Sequence, residues 1–444
     1  MNERSKKIPL PEAPATSFPL FAALAGLFFF ITIIKLGNPV ILNRYIEAPH
    51  DLASAFYYSW PPWWGTFMFV PVALAGLLAI QWNRAECRWV LMLPLIWLGW
   101  EFISATQTIN AALSKLTLAH FAVGVGLFYL GFFARKGMSN PWPLWAGMAL
   151  ALCWAMRAGL EQHFGGLEAT RKMIASSPEM AGVDPRWRLD PEYIARLNDN
   201  RIFGTFGNPN TLAGGIVLLM PLTLVFLWRL TPKVRDSIRV LFVLILGGCG
   251  LGCLYWTRSK AGWLVALAVG LVALGHSALP LKWRRWLLCG MLIGGVAGFA
   301  FKYADYFQKE RNSLGARLVY WRAALIVTDH NPVFGTGPGT FQIPYEKIKS
   351  PGDEMTRLCH NDYLEQAADS GILGFAIYVL MIVVLLGSLY RYSANKMPFD
   401  WLDFAIWLGV FGLSLHSLVD FHLYVAALAW PMFFISGWLM KHNR

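Results

Sequence analysis

Residues 371–390 read GILGFAIYVLMIVVLLGSLY, an apolar run of 20 residues without a charged side chain. An α-helix rises about 1.5 Å per residue, so a run of this length crosses the roughly 30 Å hydrocarbon core of a bilayer. Similar runs recur along the 444 residues, of which 56% are hydrophobic and only 14% charged. The composition therefore predicts an all-α integral membrane protein, because the strands of a membrane β-barrel would be shorter and would alternate in polarity.

About twelve such runs define the predicted transmembrane helices. They are residues 18–36, 63–82, 88–107, 115–134, 141–159, 209–228, 239–257, 260–279, 285–302, 367–389, 400–418 and 422–440. The first run follows a basic N-terminus, as the apolar region of a cleaved signal peptide does. No small-residue cleavage site follows it, so we expect a retained first span.

Short basic clusters between the apolar runs predict the orientation. They are Lys6 with Lys7, Arg84 with Arg88, Arg135 with Lys136, Lys233 to Arg239, Lys282 to Arg285, Arg391 to Lys396, and Lys441 to Arg444. With the N-terminus inside, all of them fall on the cytoplasmic side, as the positive-inside rule requires. Both termini are then cytoplasmic, and the net charge of +12 reflects these clusters rather than nucleic-acid binding.

This orientation leaves two long segments on the outer face, residues 160–208 and 303–366. Both mix charged residues with Pro and Gly, and both exceed the length of ordinary connections, which favours a functional role. The chain divides accordingly into residues 1–208, with helices 1 to 5 and the first loop, and residues 209–444. The second part holds helices 6 to 12 and the larger, partly helical loop.

Arg258 lies in YWTRSKAGWL, between two apolar runs joined by almost nothing. An arginine so close to hydrocarbon is costly without a partner, which favours a functional site or an ion pair over a side chain that reaches to the interface. Two residues later, Lys260 is interpreted as an ordinary interfacial lysine.

The larger loop contains LGARLVYWRAALIVTDHNPVFGTGPGTF, in which Arg317, Trp321 and Leu325 share a helical spacing and predict one face of a short helix. Arg322 points elsewhere on that helix. The following GTGPGTF at residues 335–341 resembles a phosphate-binding loop, but no Walker lysine follows it. A turn that folds the loop back is the favoured interpretation.

His360 and Asn361 precede the tenth predicted span in LCHNDYLEQAADSGILG. A histidine there can accept a proton near neutral pH, and the asparagine can hydrogen-bond a sugar or cap the helix. In FGNPNTLAG, Asn208 is a candidate cap for the helix that begins at Pro209.

His416 and Asp420, in LHSLVDFHLY, are four residues apart at the outer end of the eleventh span. On one helix face this spacing predicts a hydrogen bond between them, which either supports the site or ties two helices together; we favour the second. Glu101 and His120 are interpreted as packing or interhelical contacts. The chain has no HExxH, paired CxxC or carboxylate motif that predicts a metal, and its six cysteines are too scattered for a disulfide framework.

Arginines and a histidine on the outer face of a helical bundle suit a substrate with a lipid tail and an anionic head. Guanidinium groups bind phosphates through two parallel hydrogen bonds and offset charge that develops on a diphosphate leaving group. Histidine supplies a general base. These residue types alone leave a transporter open.

Five motifs together resemble the O-antigen ligase and polymerase superfamily over about residues 200 to 425. They are FGNPNTLAG, TRSKAGWL, ARLVYW leading to NPVFGTGPGTF, the His-Asn pair nine residues before GILG, and HSLVDFHL. The resemblance implies a GT-C-like membrane glycosyltransferase that acts outside the bacterial cytoplasmic membrane on a glycan carried by undecaprenyl diphosphate. It implies no nucleotide sugar, cofactor or metal.

Carried onto this sequence, the resemblance puts Arg258 and Arg317 at the diphosphate and His360 near the acceptor hydroxyl. The hydroxyl then attacks the anomeric carbon in line, with inversion. The predicted substrate-binding residues are Asn361, Trp321, Arg322, Asn208, Asp420 and His416.

The acceptor stays open between the lipid A core, a growing polysaccharide and a protein. Family ligases often have leucine four residues after the loop arginine, where this chain has Trp321, as in related polymerases. The absence of a soluble C-terminal extension argues mildly against protein glycosylation. A polysaccharide or lipid transporter is less favoured, since its broken helices should carry charges near the bilayer centre, whereas these spans are nearly charge-free there.

Overall fold

The computed structural model describes residues 19–80, 89–138, 140–176, 184–189, 193–194, 198–307, 313–394 and 399–440. Several basic residues that the predicted orientation uses lie outside these ranges: Lys6, Lys7, Arg84, Arg88, Lys396 and residues 441–444. Within the described ranges the chain is a succession of helices joined by turns and short 3-10 segments.

Seventeen α-helices, numbered here in chain order, form this part of the molecule. Helices α1 to α8 are Pro19–Lys35, Leu52–Tyr57, Trp63–Ala79, Leu93–Ala105, Ala111–Ala134, Trp142–Glu161, Leu167–Ser176 and Pro185–Arg188. Helices α9 to α17 are Pro209–Leu230, Asp236–Trp256, Lys260–Gly275, Leu281–Phe307, Ser313–His330, Gln342–Ile348, Asp362–Ala394, Trp401–His416 and Ala426–Leu439. An apolar helix lies in each of the twelve predicted spans.

Six of the described helical segments are long and apolar enough to cross a bilayer. They are Ala111–Ala134, Trp142–Ser176, Pro209–Leu230, Asp236–Trp256, Leu281–Tyr303 and Asp362–Ala394. Six further apolar helices have no more than 17 residues, the low end of the length that spans a bilayer. The all-helical membrane class is therefore supported, and the count of twelve spans stays a prediction.

The helices pack as a bundle in which α1 lies against α6, α5 against α17, and α9 against α16. Glycines permit the closest of these approaches. A Cβ on Gly131 would lie 2.2 Å from the Phe434 carbonyl oxygen, and one on Gly437 would lie 1.9 Å from that of Phe128. Small residues at such crossings are how membrane helices gain packing contacts when lipid is as apolar as the protein.

The helical backbone of α15 is interrupted at Gly371, which adopts φ 75° and ψ −178°. The amide of Ile372 donates to the Pro332 carbonyl at 2.9 Å, so the bend is docked on the segment that follows α13. A side chain on Gly371 would meet the Val333 carbonyl oxygen at 2.2 Å. The polar start of α15 is thus held apart from its apolar length, and it sets the position of His360.

The two predicted outer loops both contain helices. In the larger one, α13 packs on α14 and α15 through a small apolar cluster that includes Tyr320, Ala324 and Phe341. In the smaller one, the segment expected to be loop from residue 160 contains α7, which begins at Leu167 after a kink at Phe164 and Gly165 that follows the end of α6.

Candidate functional site

A cavity of about 170 Å³ opens between the ends of α9, α11 and α13 and the loop before α15. It is lined by Arg201, Asn208, Asn210, Arg258, Lys260, Ser313, Ala316, Arg317, Tyr320, Glu354 and His360. The structure therefore brings together Arg258, Arg317 and His360, the three residues predicted to be catalytic, although they are separated by up to 102 residues in sequence.

Positive charge dominates the cavity lining. Arg201, Arg258, Lys260 and Arg317 face a single carboxylate among the lining residues, that of Glu354, a formal excess of three positive charges without counting His360. Sequence reasoning missed Arg201 and interpreted Lys260 as an ordinary interfacial lysine. Only the fold shows that both line the same cavity.

Two helix N-termini reinforce this charge. The Asn208 side chain accepts a hydrogen bond from the Asn210 amide at 2.8 Å at the start of α9, as its sequence position predicted. The Ser259 hydroxyl accepts from the Gly262 amide at 3.2 Å at the start of α11. Because the positive end of each helix dipole lies at its N-terminus, both helices favour an anion in the cavity.

Arg258 and His360 share an unusual backbone conformation. They are the non-glycine residues with positive φ in the described part of the chain, at 52° and 56°. This left-handed region costs a residue with a side chain about 1 kcal/mol or more, and such strain concentrates at functional sites. The fold therefore tolerates strain at two positions that line the cavity.

The His360 ring is held on several sides. It stacks on Tyr320 with ring centroids 5.9 Å apart and contacts Phe421 at 4.6 Å. Its Nδ1 lies 3.3 Å from Asp420 Oδ1, a contact that becomes an ion pair when the ring is protonated. The Trp321 indole donates to the His360 carbonyl at 3.3 Å, so Trp321 fixes the backbone of His360 rather than lining the cavity.

Asp420 joins the two sides of the site. It is 1% exposed, and its Oδ2 lies 3.6 Å from Arg317 Nη2 while its Oδ1 faces His360. Burial by itself would raise the pKa of this carboxyl, but the contacts with His360 and Arg317 outweigh it and hold the pKa well below its usual range. Asp420 is thus an ionised anchor for both side chains.

The predicted hydrogen bond between His416 and Asp420 is wrong. Helix α16 ends at His416, so the four-residue spacing does not put the two side chains on one helix face. His416 Nδ1 instead pairs with His422 Nε2 at 2.8 Å in the buried interior. A spacing of four residues puts two side chains on one face only where both residues lie in the same helix.

Two other predicted substrate-binding residues take positions outside the cavity lining. Asn361 Oδ1 accepts from the Tyr363 and Leu364 amides at 3.0 and 3.1 Å, which makes it the cap of α15. Arg322 is exposed on the outer side of α13. A substrate contact for either residue stays a prediction.

The glycine-rich turn at residues 335–341 hydrogen-bonds a carboxyl group of the protein itself. Its Gly339 and Thr340 amides donate to the two oxygens of Asp369 at 2.6 and 3.3 Å, and the Tyr424 hydroxyl donates to the same carboxylate at 2.7 Å. These amides are thus engaged by a side chain of α15. The interpretation of this segment as a turn that folds the loop back agrees with this geometry.

The interior residues Glu101 and His120 differ in their contacts. His120 Nε2 lies 2.8 Å from the Leu423 carbonyl, an interhelical contact as predicted. Glu101 is fully buried, and neither carboxyl oxygen has a hydrogen-bond partner among the described residues.

The described part of the chain is an all-helical membrane bundle with a strongly cationic cavity at one end. Residues 242–379 match the family described as O-Antigen ligase, and this range includes Arg258, Arg317 and His360. This match supports membership of the O-antigen ligase and polymerase superfamily, as the motifs predicted, and together with the apolar helices it indicates a multi-pass bacterial membrane protein.

A curated relative is similar over a shorter stretch. An uncharacterized protein of Haemophilus influenzae is 38% identical over 86 residues, which cover 18% of this chain and 22% of that protein.

Proposed function

We propose that this chain is a membrane glycosyltransferase that transfers or polymerises a glycan from undecaprenyl diphosphate onto an acceptor hydroxyl. The reaction takes place on the outer face of the bacterial cytoplasmic membrane. The acceptor is the core oligosaccharide of lipid A or a growing polysaccharide. The observation that carries the proposal is the convergence of Arg258, Arg317 and His360 on one cationic cavity.

The cavity suits a diphosphate. Arginine guanidinium groups form paired hydrogen bonds with phosphate oxygens, and two helix N-termini add amide donors and a favourable dipole. As the bond from the sugar to the diphosphate breaks, negative charge grows on the bridging oxygen. Arg258 and Arg317 offset that charge without a metal ion, the type of transition-state stabilisation that contributes most to many enzymes.

His360 accepts the proton of the acceptor hydroxyl. With its Nδ1 directed at Asp420, the nitrogen left for this step is Nε2. The hydroxyl oxygen attacks the anomeric carbon from the side opposite the diphosphate, and the electron pair of the breaking C–O bond leaves on the diphosphate. The products are an inverted glycoside, undecaprenyl diphosphate and a proton held on His360.

The test measures glycan transfer by the full chain in lipid nanodiscs, with donor extracted from cells that lack this protein. We expect His360→Ala to lower kcat by about 10²- to 10⁴-fold, the usual contribution of a general base. Arg258→Lys and Arg317→Lys should also lose activity, because an ammonium keeps the charge without the planar fork of donors.

Lys347→Ala is the matched control, since Lys347 is an exposed cation on α14 that does not line the cavity. It should retain wild-type transfer. Full activity of the His360 and both arginine variants would refute the proposed site. Product analysis in cells lacking the gene separates ligation to lipid A from polymerisation: the first loses capped lipopolysaccharide and the second loses chain length.

A further inference from the structure

Three aromatic side chains form an outward-facing patch beside the cavity: His163, Phe164 and Trp256, called here the aromatic patch. His163 stacks on Trp256 with centroids 4.1 Å apart and an interplanar angle of 18°. Phe164 meets Trp256 edge-on at 6.0 Å and is 77% exposed. His163 and Phe164 are both exposed, so the patch is open to a contact outside the protein.

A local distortion of the helix holds the patch in place. Between α6 and α7 the helical backbone is interrupted, since Phe164 adopts φ −91° and ψ 33° and Gly165 adopts φ 114°. A side chain on Gly165 would meet nothing within 4 Å, so the glycine is there for its backbone conformation and not for packing.

The aromatic patch is connected to the rim of the cavity. The Gln162 side chain accepts from the amides of Phe203 and Gly204 at 2.9 and 2.8 Å and donates to the Gly204 carbonyl at 2.8 Å. In addition, the Ile202 amide donates a hydrogen bond to the Trp256 carbonyl at 3.4 Å. Arg201 and Arg258, which line the cavity, are therefore one and two residues away from this connection.

We propose that the aromatic patch is a sugar subsite, on which a ring of the donor glycan stacks while the attached diphosphate occupies the cationic cavity. This inference rests on the proposed function. A pyranose presents an apolar C–H face and a polar rim, so a flat aromatic surface binds the face and leaves the hydroxyls in water. A sugar linked to a diphosphate in the cavity must extend past its rim, and the patch adjoins that rim.

The competing occupant is the membrane, because aromatic rings also gather at the lipid–water interface. A leucine substitution distinguishes the sugar from the membrane as occupant, because leucine keeps apolar contact with lipid but has no flat face for a sugar. Binding is measured for the full chain in nanodiscs with two probes, undecaprenyl diphosphate and the glycan-bearing donor extracted from cells that lack this protein. Phe164→Leu should weaken donor binding by about 3- to 10-fold, the range of an aromatic stacking contact, and leave undecaprenyl diphosphate binding unchanged.

Phe164→Trp should retain the wild-type affinity for the donor. Phe67→Leu is the matched control, since Phe67 is 65% exposed on α3, a helix that contributes no residue to the cavity lining, and should change neither affinity. Equal donor affinity in Phe164→Leu and wild type would overturn the subsite, and so would an equal loss for both probes. Failure of the proposed function would give a different result: Arg258→Ala would bind undecaprenyl diphosphate with the wild-type affinity.

Discussion

At the scale of single residues, Asp420 connects the parts of the candidate site that come from different elements. Arg317 is supplied by α13 and His360 by the loop before α15, and Asp420 lies on the turn after α16 within 3.6 Å of both. A buried ionised carboxylate needs such partners, since without them its desolvation would be costly. We therefore assign it a positioning role toward His360 and Arg317.

The depressed pKa of Asp420 predicts an acid dependence of stability. Its ionised form stabilises the folded protein fully above the ordinary aspartate pKa of about 3.9, and that contribution is lost as the pH falls from there toward the lower folded value. Asp420→Asn removes this contribution. We expect the melting temperature of wild type to exceed that of the variant clearly from pH 7 down to about pH 4, and the gap to narrow only at lower pH, as the carboxyl of the unfolded chain becomes protonated.

Thermal unfolding in detergent at several pH values measures this difference. No gap at pH 7, or a gap that already closes between pH 7 and pH 5, would contradict an ionised Asp420 with a depressed pKa. Transfer activity is the second measurement: loss of kcat in Asp420→Asn with an unchanged affinity for undecaprenyl diphosphate supports positioning of His360 rather than a role in folding alone.

The sequence predicted those site residues that lie in recognisable local motifs. His360, Arg258 and Arg317 lie in motifs with recognisable neighbours, so their grouping was predicted before their distances were known. Arg201 carries no such motif, and its place in the cavity depends on tertiary packing. Asp369 is similar, because its partners are the amides of a turn some 30 residues earlier in the chain.

At the scale of elements, the glycine-rich turn at residues 335–341 fixes the polar start of α15. Gly337 has φ 104°, and a Cβ there would lie 2.1 Å from the Thr108 hydroxyl oxygen. On the other side the Gly339 and Thr340 amides bind the Asp369 carboxylate. The turn thus joins the end of α4 to α15, which begins two residues after His360.

Asp369→Asn should destabilise the protein by about 1 to 3 kcal/mol, the cost of leaving a buried hydrogen-bonding group unpaired. The amide replacement keeps one acceptor oxygen and loses the other, so one of the two turn amides has no partner. Thermal unfolding in detergent measures the change. Asp353→Asn is the control: its carboxylate accepts the Ser350 amide at an exposed turn, where water replaces it at little cost. Equal effects of the two substitutions would contradict the role of Asp369.

At the scale of the whole molecule, the described charged residues that line the cavity lie at one end of the bundle, near the helix ends rather than their middles. This arrangement suits chemistry at a membrane surface, and the basic clusters predict that this surface is the outer one. The bundle provides a rigid frame for residues drawn from five different helices and loops.

The predicted orientation can be tested with two single cysteines. A membrane-impermeant maleimide should label Lys347→Cys, on α14, in cells whose outer membrane has been permeabilised. It should label Lys282→Cys, on α12, only after the cytoplasmic membrane is opened. The unsubstituted chain gives the background from native thiols such as exposed Cys289. The reversed labelling pattern would place the cavity in the cytoplasm and contradict the proposed function.

Fold and membrane class were accessible from the sequence, because apolar runs and basic clusters are local and directly countable. Helix bounds were harder to predict: the segment after residue 160 was expected to be loop, but a second helix, α7, follows the kink at Phe164 and Gly165 and ends at Ser176. The charged residues of this segment are typical of a loop. Only its contacts with neighbouring helices and loops determine whether it is helix or loop. Pairings between distant elements, such as that of Asp420 on a turn with Arg317 on α13, depend on the same three-dimensional packing.

The positive φ angles of Arg258 and His360 have a consequence for the evolution and engineering of this protein. Glycine at either position would relieve about 1 kcal/mol of backbone strain while removing the functional group. At His360 this gain is outweighed by the loss of a partner of buried Asp420, so selection for thermal stability alone would favour inactive chains at residue 258. A stabilised variant obtained by such selection should be sequenced at residue 258 before any other explanation for lost activity is considered.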